Sequence, residues 1–194
     1  MNWLLRNTVL ALALLLVTGC GGEVRDDYND SSFELVDQNG EAVHFPGDFH
    51  GDLLMMGFVY TNCPDICGFI TANLKKVYQE AQSGSDVTYV LVTFDPERDT
   101  PEVLREYAEA FGMDASPFRF LTGEPEVIEE MMERVGVRTQ ISYTSEGDDG
   151  RVNYLLNHSD KILLINRSGQ LVMEYGGSMT PVDILLEDLQ KLMP

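Results

Sequence analysis

The sequence predicts one α/β domain, a mixed sheet flanked by helices and preceded by a β-hairpin. Three observations carry this reading. A continuous apolar run, Leu53 to Tyr60, and a second segment rich in β-branched and aromatic residues, Val87 to Phe94, have the character of buried strands, as in parallel sheets. Each is followed by a segment that reads as a helix, the alternation of parallel strand–helix units. Phe33 and Leu35, then Val43 and Phe45, alternate on either side of Asn39-Gly40, a strong hairpin signal. The chain has 194 residues, 44% of them apolar, enough for one domain with its own core. It shows no internal repeat and no second domain.

Residues 1–19 stand apart from that domain. Arg6 gives a positive start, Val9 to Val17 a short apolar stretch, and Val17-Thr18-Gly19-Cys20 follows. The stretch is too short to span a bilayer comfortably and reads as an export signal. Its end resembles the lipobox of bacterial lipoproteins, which implies cleavage before Cys20 and lipidation of that cysteine. The expected organisation is a signal peptide over 1–19, a flexible lipid-anchored tether over 20–31 that is Gly- and Asp-rich, and a folded domain over 32–194. The expected location is the bacterial cell envelope, with the domain on the extracytoplasmic side of the membrane. The formal charge is −19, and loss of Arg6 adds one more negative charge. Nucleic acid and anionic lipid surfaces are therefore not expected as direct partners.

After the hairpin, residues 46–52 form a loop that carries His50, with His44 just before it. Both are expected on the surface. Thr100 caps the helix of Pro101 to Phe111 with proline at its first position. Val103, Leu104, Tyr107 and Phe111 share one face of it. Phe118 to Leu121 is a short strand. Pro125 opens a helix that turns Ile128, Met131 and Met132 inward as core residues rather than metal ligands. Val137 to Tyr143 is extended, and Thr144 to Arg151 is a polar, acidic hairpin tip. Lys161 to Ile165 and Gln170 to Tyr175 form an antiparallel pair about the turn at residues 166–169. A last helix follows Thr180-Pro181, with Leu185 and Leu189 inward.

The segment Phe58-Val-Tyr-Thr-Asn-Cys63-Pro-Asp-Ile-Cys67 carries the chemistry. It runs from the end of a buried strand into a helix predicted from Pro64 to about Gln82. Cys63 is placed at the N-cap and Cys67 one turn in, so that both sulfurs share a face. The unpaired N–H groups of a first helical turn favour negative charge, which predicts a thiolate-rich cysteine. Such a pair can close a disulfide or bind a soft metal ion. Two core cysteines in an exported chain are too few for a disulfide scaffold.

Cysteines between a parallel strand and its helix lie where open α/β sheets place their sites. The whole order of elements is that of a thioredoxin-like fold with an added N-terminal hairpin and an inserted strand–helix. In that fold the loop before the strand at Lys161 faces the cysteine helix. Thioredoxin-like oxidoreductases usually carry a cis-proline there, and this chain has His158 instead. Two thiolates and an imidazole suit copper, Cu(I) through sulfur and Cu(II) through nitrogen.

Four segments resemble the Sco/SenC family of membrane-anchored copper proteins: residues 58–67, Asp95-Pro-Glu-Arg-Asp-Thr-Pro101, Phe120-Leu-Thr-Gly123, and His158-Ser159 before a strand. They run through most of the exported chain. The resemblance implies copper binding by Cys63, Cys67 and His158. It also implies a role in assembling the dinuclear copper centre of cytochrome c oxidase, with that enzyme's copper-bearing subunit as partner. Other copper chaperones or a thioredoxin-like reductant are further candidate partners. One position departs from the family, which usually has proline after the second cysteine where this chain has Gly68. Asp95 is either a turn residue or a group that tunes the site by touching its ligands.

Two functions stay open on the sequence. One is a copper-binding assembly factor, not an enzyme in the strict sense. The other is a thiol–disulfide reductase that keeps the oxidase's copper-site cysteines reduced, with Cys63 attacking and Cys67 resolving. The CxxxC spacing and the missing cis-proline count against a general reductase.

Overall fold

The computed structural model describes residues 23–81, 87–146 and 152–193. The export segment, Cys20 and most of the expected acidic hairpin tip lie outside these residues. The first described elements are a short strand, β1 (Asp26–Asp27), and a 3-10 turn (Tyr28–Asp30). Both fall within the stretch expected to be tether. Tyr28 is buried, and Arg134 binds Asp26 at 2.7 Å and Asp30 at 3.0 Å. The aspartates that read as solvating charge are partners of a distant arginine, so the folded domain begins earlier than residue 32.

The hairpin forms as β2 (Phe33–Asp37) and β3 (Ala42–Phe45), with Phe33 opposite Phe45 and Leu35 opposite Val43. Next come β4 (Leu53–Val59), α1 (Cys67–Glu80), β5 (Val87–Thr93), α2 (Pro101–Phe111), β6 (Phe118–Thr122) and α3 (Pro125–Arg134). Every residue of β4 is buried, which accounts for its unbroken apolar run. The expected parallel pair is a parallel triplet, because β6 joins β5 in parallel register. Thr100 caps α2 by accepting the Val103 N–H, as the sequence indicated.

The chain continues through β7 (Thr139–Glu146), β8 (Val152–His158), β9 (Ile162–Ile165), β10 (Gln170–Tyr175) and α4 (Val182–Leu192). Among the described residues the main sheet has eight strands in the order β1-β10-β9-β4-β5-β6-β2-β3. β7 and β8 pair with each other in a separate two-stranded ribbon. α1 packs on β4, and α4 packs on α1. At Gly57 an added Cβ would come within 2.8 Å of Ile70 Cγ2, so glycine sets how closely α1 approaches β4. The result is a mixed α/β domain with a central sheet flanked by helices. Among the described residues no helix is long and apolar enough to cross a membrane.

Candidate metal centre

β4 leads to the buried Tyr60 and then into a turn held by one carboxylate. Asp99 accepts the Thr61 N–H at 3.0 Å and the Thr61 and Thr93 hydroxyls at 2.5 and 2.6 Å. Asp99 is fully buried. Burial pushes its carboxyl above the usual range, while these three hydrogen bonds act the other way.

The turn is longer than the sequence suggested. Ile66, not Cys63, occupies the N-cap, and Cys67 is the first residue of α1. Pro64 remains in the turn. The Cys63 N–H donates to the Tyr60 carbonyl at 3.2 Å, and the Phe69 and Ile70 N–H groups both reach the Ile66 carbonyl. Cys63 is therefore half-buried ahead of the helix, and Cys67 is buried beneath it. Both are free thiols. Burial pushes the Cys67 thiol up. At Cys67 the expected stabilisation of thiolate by the helix start is outweighed by desolvation.

His158 arrives from the opposite side. It ends β8, opposite Thr139, rather than sitting in a loop. Its Nδ1 lies 3.0 Å from the Ser159 carbonyl, an acceptor, which assigns the proton to Nδ1. Nε2 is then free as a donor atom, 3.4 Å from Cys67 Sγ. The ring rests on Phe94, 4.6 Å between centroids, and meets Tyr60 edge-on at 6.1 Å.

The ligand atoms of Cys63, Cys67 and His158 all lie within 4.8 Å of one another. Metal–sulfur bonds of ~2.3 Å in a trigonal site place two sulfurs ~4 Å apart, so small side-chain adjustments close this set around one ion. Two sulfurs and one imidazole nitrogen are also the donors a soft metal prefers. A cleft of about 310 Å³, lined by Tyr60, Cys63, Pro64, Ile66, Leu155 and His158 among others, opens onto the cluster.

The remaining sequence candidates fall elsewhere. Asp95 touches none of the three ligands. One of its oxygens accepts the Tyr154 hydroxyl at 2.6 Å, and the other pairs with Arg98. Its reach is to the strand that carries His158. His44 pairs with Asp48, and His50 bonds Asn29 at 2.8 Å, both on the surface. Met131 and Met132 are buried on the inner side of α3. Sequence reasoning missed Asp99, Arg98 and Tyr154. The Asp95–Asp99 spacing was visible, but the loop's two-sided grip requires knowing what packs against it.

A thioredoxin-like domain with two cysteines at the strand–helix junction and a histidine facing them defines a class of thiol proteins equipped to hold a soft metal. The SCO1/SenC family model matches residues 23–194, and the chain belongs to that family. It is 33% identical over 146 residues to a SCO2-like protein of Rickettsia typhi, covering 74% of this chain and 68% of that protein. It is 25% identical over 193 residues to the SCO1 protein homolog of Bacillus subtilis, covering 96% and 95%. The solved structure of Bradyrhizobium japonicum ScoI with copper bound superposes with a TM-score of 0.67 at 27% identity, covering 84% of this chain and 98% of that one.

Proposed function

We propose that the chain binds one copper ion through Cys63, Cys67 and His158 as cargo. Its task is assembly of the dinuclear copper centre of cytochrome c oxidase. The observation that carries this reading is the convergence of the three ligand atoms within 4.8 Å from segments far apart in the sequence. The copper-bound structure of the Bradyrhizobium relative supports the choice of metal. The export segment and Cys20 support a lipid-anchored domain in the cell envelope, where the oxidase's copper-bearing subunit is within reach.

The residues divide the work. Cys67 supplies a buried sulfur that stays with the domain. Cys63, half-buried at the cleft, is the sulfur that an acceptor's ligands reach first. His158 offers Nε2 because Ser159 holds its Nδ1 proton. Both thiols must lose their protons to bind, and burial at Cys67 opposes that loss, so metal uptake releases protons. Cu(I) is held chiefly by the sulfurs and Cu(II) gains from the imidazole.

The contrast between an accessible and a buried sulfur also favours a second reading. As thiolate, Cys63 attacks a disulfide in the acceptor, and one acceptor sulfur leaves as thiolate. Cys67, deprotonated, then attacks Cys63 and expels the second acceptor sulfur. The acceptor gains two electrons as a dithiol, and this chain ends as the Cys63–Cys67 disulfide.

Copper titration of the reduced protein tests the first reading, with Cys63→Ser, Cys67→Ser and His158→Ala as controls. The expected result is one tight equivalent, lost in either cysteine variant and weakened in the histidine variant. No specific binding, with a readily cycled disulfide, would leave the reductase.

A further inference from the structure

We propose that Arg98 is a positioning residue for His158: it latches the β7–β8 ribbon to loop 95–99 and so keeps the imidazole at the cysteine pair. The role rests on His158 being the third ligand. His158 needs such a device because the ribbon shares no backbone ladder with the eight-stranded sheet. The main sheet therefore fixes the cysteines' strand directly, but holds His158 indirectly: through side chains, through the chain that follows it, and through Arg138, which follows α3 and bonds Ser159.

The contacts concentrate on one residue of β8. The Arg98 guanidinium lies 3.6 Å from the centre of the Tyr154 ring and 5.6 Å from that of Tyr60, within cation–π range of both. Its NH1 donates to the Tyr154 carbonyl at 2.9 Å. Its Nε and NH2 pair with one oxygen of Asp95, whose other oxygen accepts the Tyr154 hydroxyl at 2.6 Å. Arg98 and Asp95 thus hold Tyr154 by ring, hydroxyl and backbone at once, four residues before His158. Asp95 is only 3% exposed, and a charge-assisted pair is strongest where water is excluded.

The same loop grips the other half of the site. The Arg98 and Asp99 N–H groups close on the Asp95 carbonyl at 3.2 and 2.9 Å, and Asp99 holds Thr61, two residues before Cys63. Loop 95–99 spans the two ligand-bearing segments and sets their separation. Asp99 belongs to the cysteine side and Arg98 to the histidine side. Loosening Arg98 should free His158 while the cysteine pair keeps its geometry.

Arg98→Met, which keeps the stem and drops the guanidinium, tests this beside Arg98→Lys, Tyr154→Phe and His158→Ala. In the copper-free protein, amide hydrogen exchange is read at Leu156, which donates to Tyr60 Oη, and at Ser159, which donates to the Arg138 carbonyl. Arg98→Met should speed exchange at these two amides by roughly tenfold relative to β4 and β5, and Tyr154→Phe should do so less. In the Cu(II)-loaded protein, nitrogen hyperfine splitting should weaken toward that of His158→Ala, with oxidant-driven Cys63–Cys67 disulfide formation unchanged. Arg98→Lys should restore the signal in part, since an ammonium lacks the planar fork. Wild-type exchange and full nitrogen splitting in Arg98→Met would overturn the latch. So would equal acceleration of ribbon and core, which would make Arg98 a general stabiliser. If His158→Ala itself keeps full splitting, the ligand assignment falls, and with it the positioning role.

Discussion

Asp99 accepts both the backbone N–H and the hydroxyl of Thr61, at 3.0 and 2.5 Å, so a carboxylate that touches neither sulfur holds the turn on which Cys63 sits. The turn's own backbone closure is the Cys63 N–H bond to the Tyr60 carbonyl, at 3.2 Å. Asp99→Ala leaves the half-buried Thr61 N–H and the buried Thr93 hydroxyl without their acceptor, at a cost of about 2 kcal/mol. Urea unfolding should register that loss. Oxidant-driven closure of Cys63 and Cys67 should also slow, because Cys63 wanders while Cys67 stays fixed on α1. Unchanged stability and unchanged closure would show that the turn is held by its own backbone.

The two thiols should separate by reactivity in the reduced protein. Cys63 is half-buried, and Cys67 is 1% exposed with its thiol pushed up by burial. A raised thiol pKa means less thiolate at a given pH, and thiolate is the species that alkylates. Iodoacetamide should therefore modify Cys63 first near neutrality. The Cys67 rate should keep climbing as pH rises through the alkaline range. Mass spectrometry of peptides quenched at intervals reads both rates. Prior modification of Cys67 at neutral pH would contradict the burial assigned to it.

Much of this fold was legible because its signals are local. The run of β4 is apolar throughout and β5 is dominated by valine, leucine and tyrosine, since both lie inside the sheet. Asn39-Gly40 and Thr100-Pro101 mark their turn and cap without outside help. The start of α1 was misplaced because Pro64 suits a first helical position, whereas the observed turn is held through Asp99, more than thirty residues away. β1 was missed for a similar reason: its aspartates are bound by Arg134. Cys63, Cys67 and His158 could be named from residue type, motif and order of elements. Arg98 and Tyr154 could not, because their importance lies in touching each other.

One substitution made at two glycines should give opposite signs. At Gly57 an added methyl would sit 2.8 Å from Ile70 Cγ2 and 3.1 Å from Leu74 Cδ1, which forces α1 away from β4. Gly57→Ala should cost about 1–3 kcal/mol, as overpacking does. At Gly68, the position of the usual family proline, the nearest atom is Phe111 Cζ at 3.9 Å, an ordinary contact. Gly68 lies in the first turn of α1, where alanine is the better helix former by up to ~1 kcal/mol. Gly68→Ala should raise the thermal midpoint, and Gly57→Ala should lower it. A destabilised Gly68→Ala would mean that this turn must flex.

Acid should loosen the amino-terminal clamp before the core. The Arg134 guanidinium beside Asp26 holds that carboxyl below its ordinary 3.8, and Asp30 is lowered chiefly by the same guanidinium. A depressed carboxyl contributes stability that is present above its unfolded pKa and is lost as pH falls through the folded value. The window therefore lies at and below about pH 4. The Arg134–Asp26 pair is worth only roughly 1 kcal/mol after solvent screening, since the Asp26 side chain is 43% exposed. Arg134→Met should remove this part of the acid dependence, flattening the stability curve below pH 4. In the same variant, hydrogen exchange at Tyr28 and Ser31, whose N–H groups donate to Gly169 and Tyr28 carbonyls, should already be fast at neutral pH. High salt should weaken the wild-type clamp in the same direction. An acid limb equally steep in Arg134→Met would assign it to other carboxylates and leave β1 held by its pairing with β10 alone.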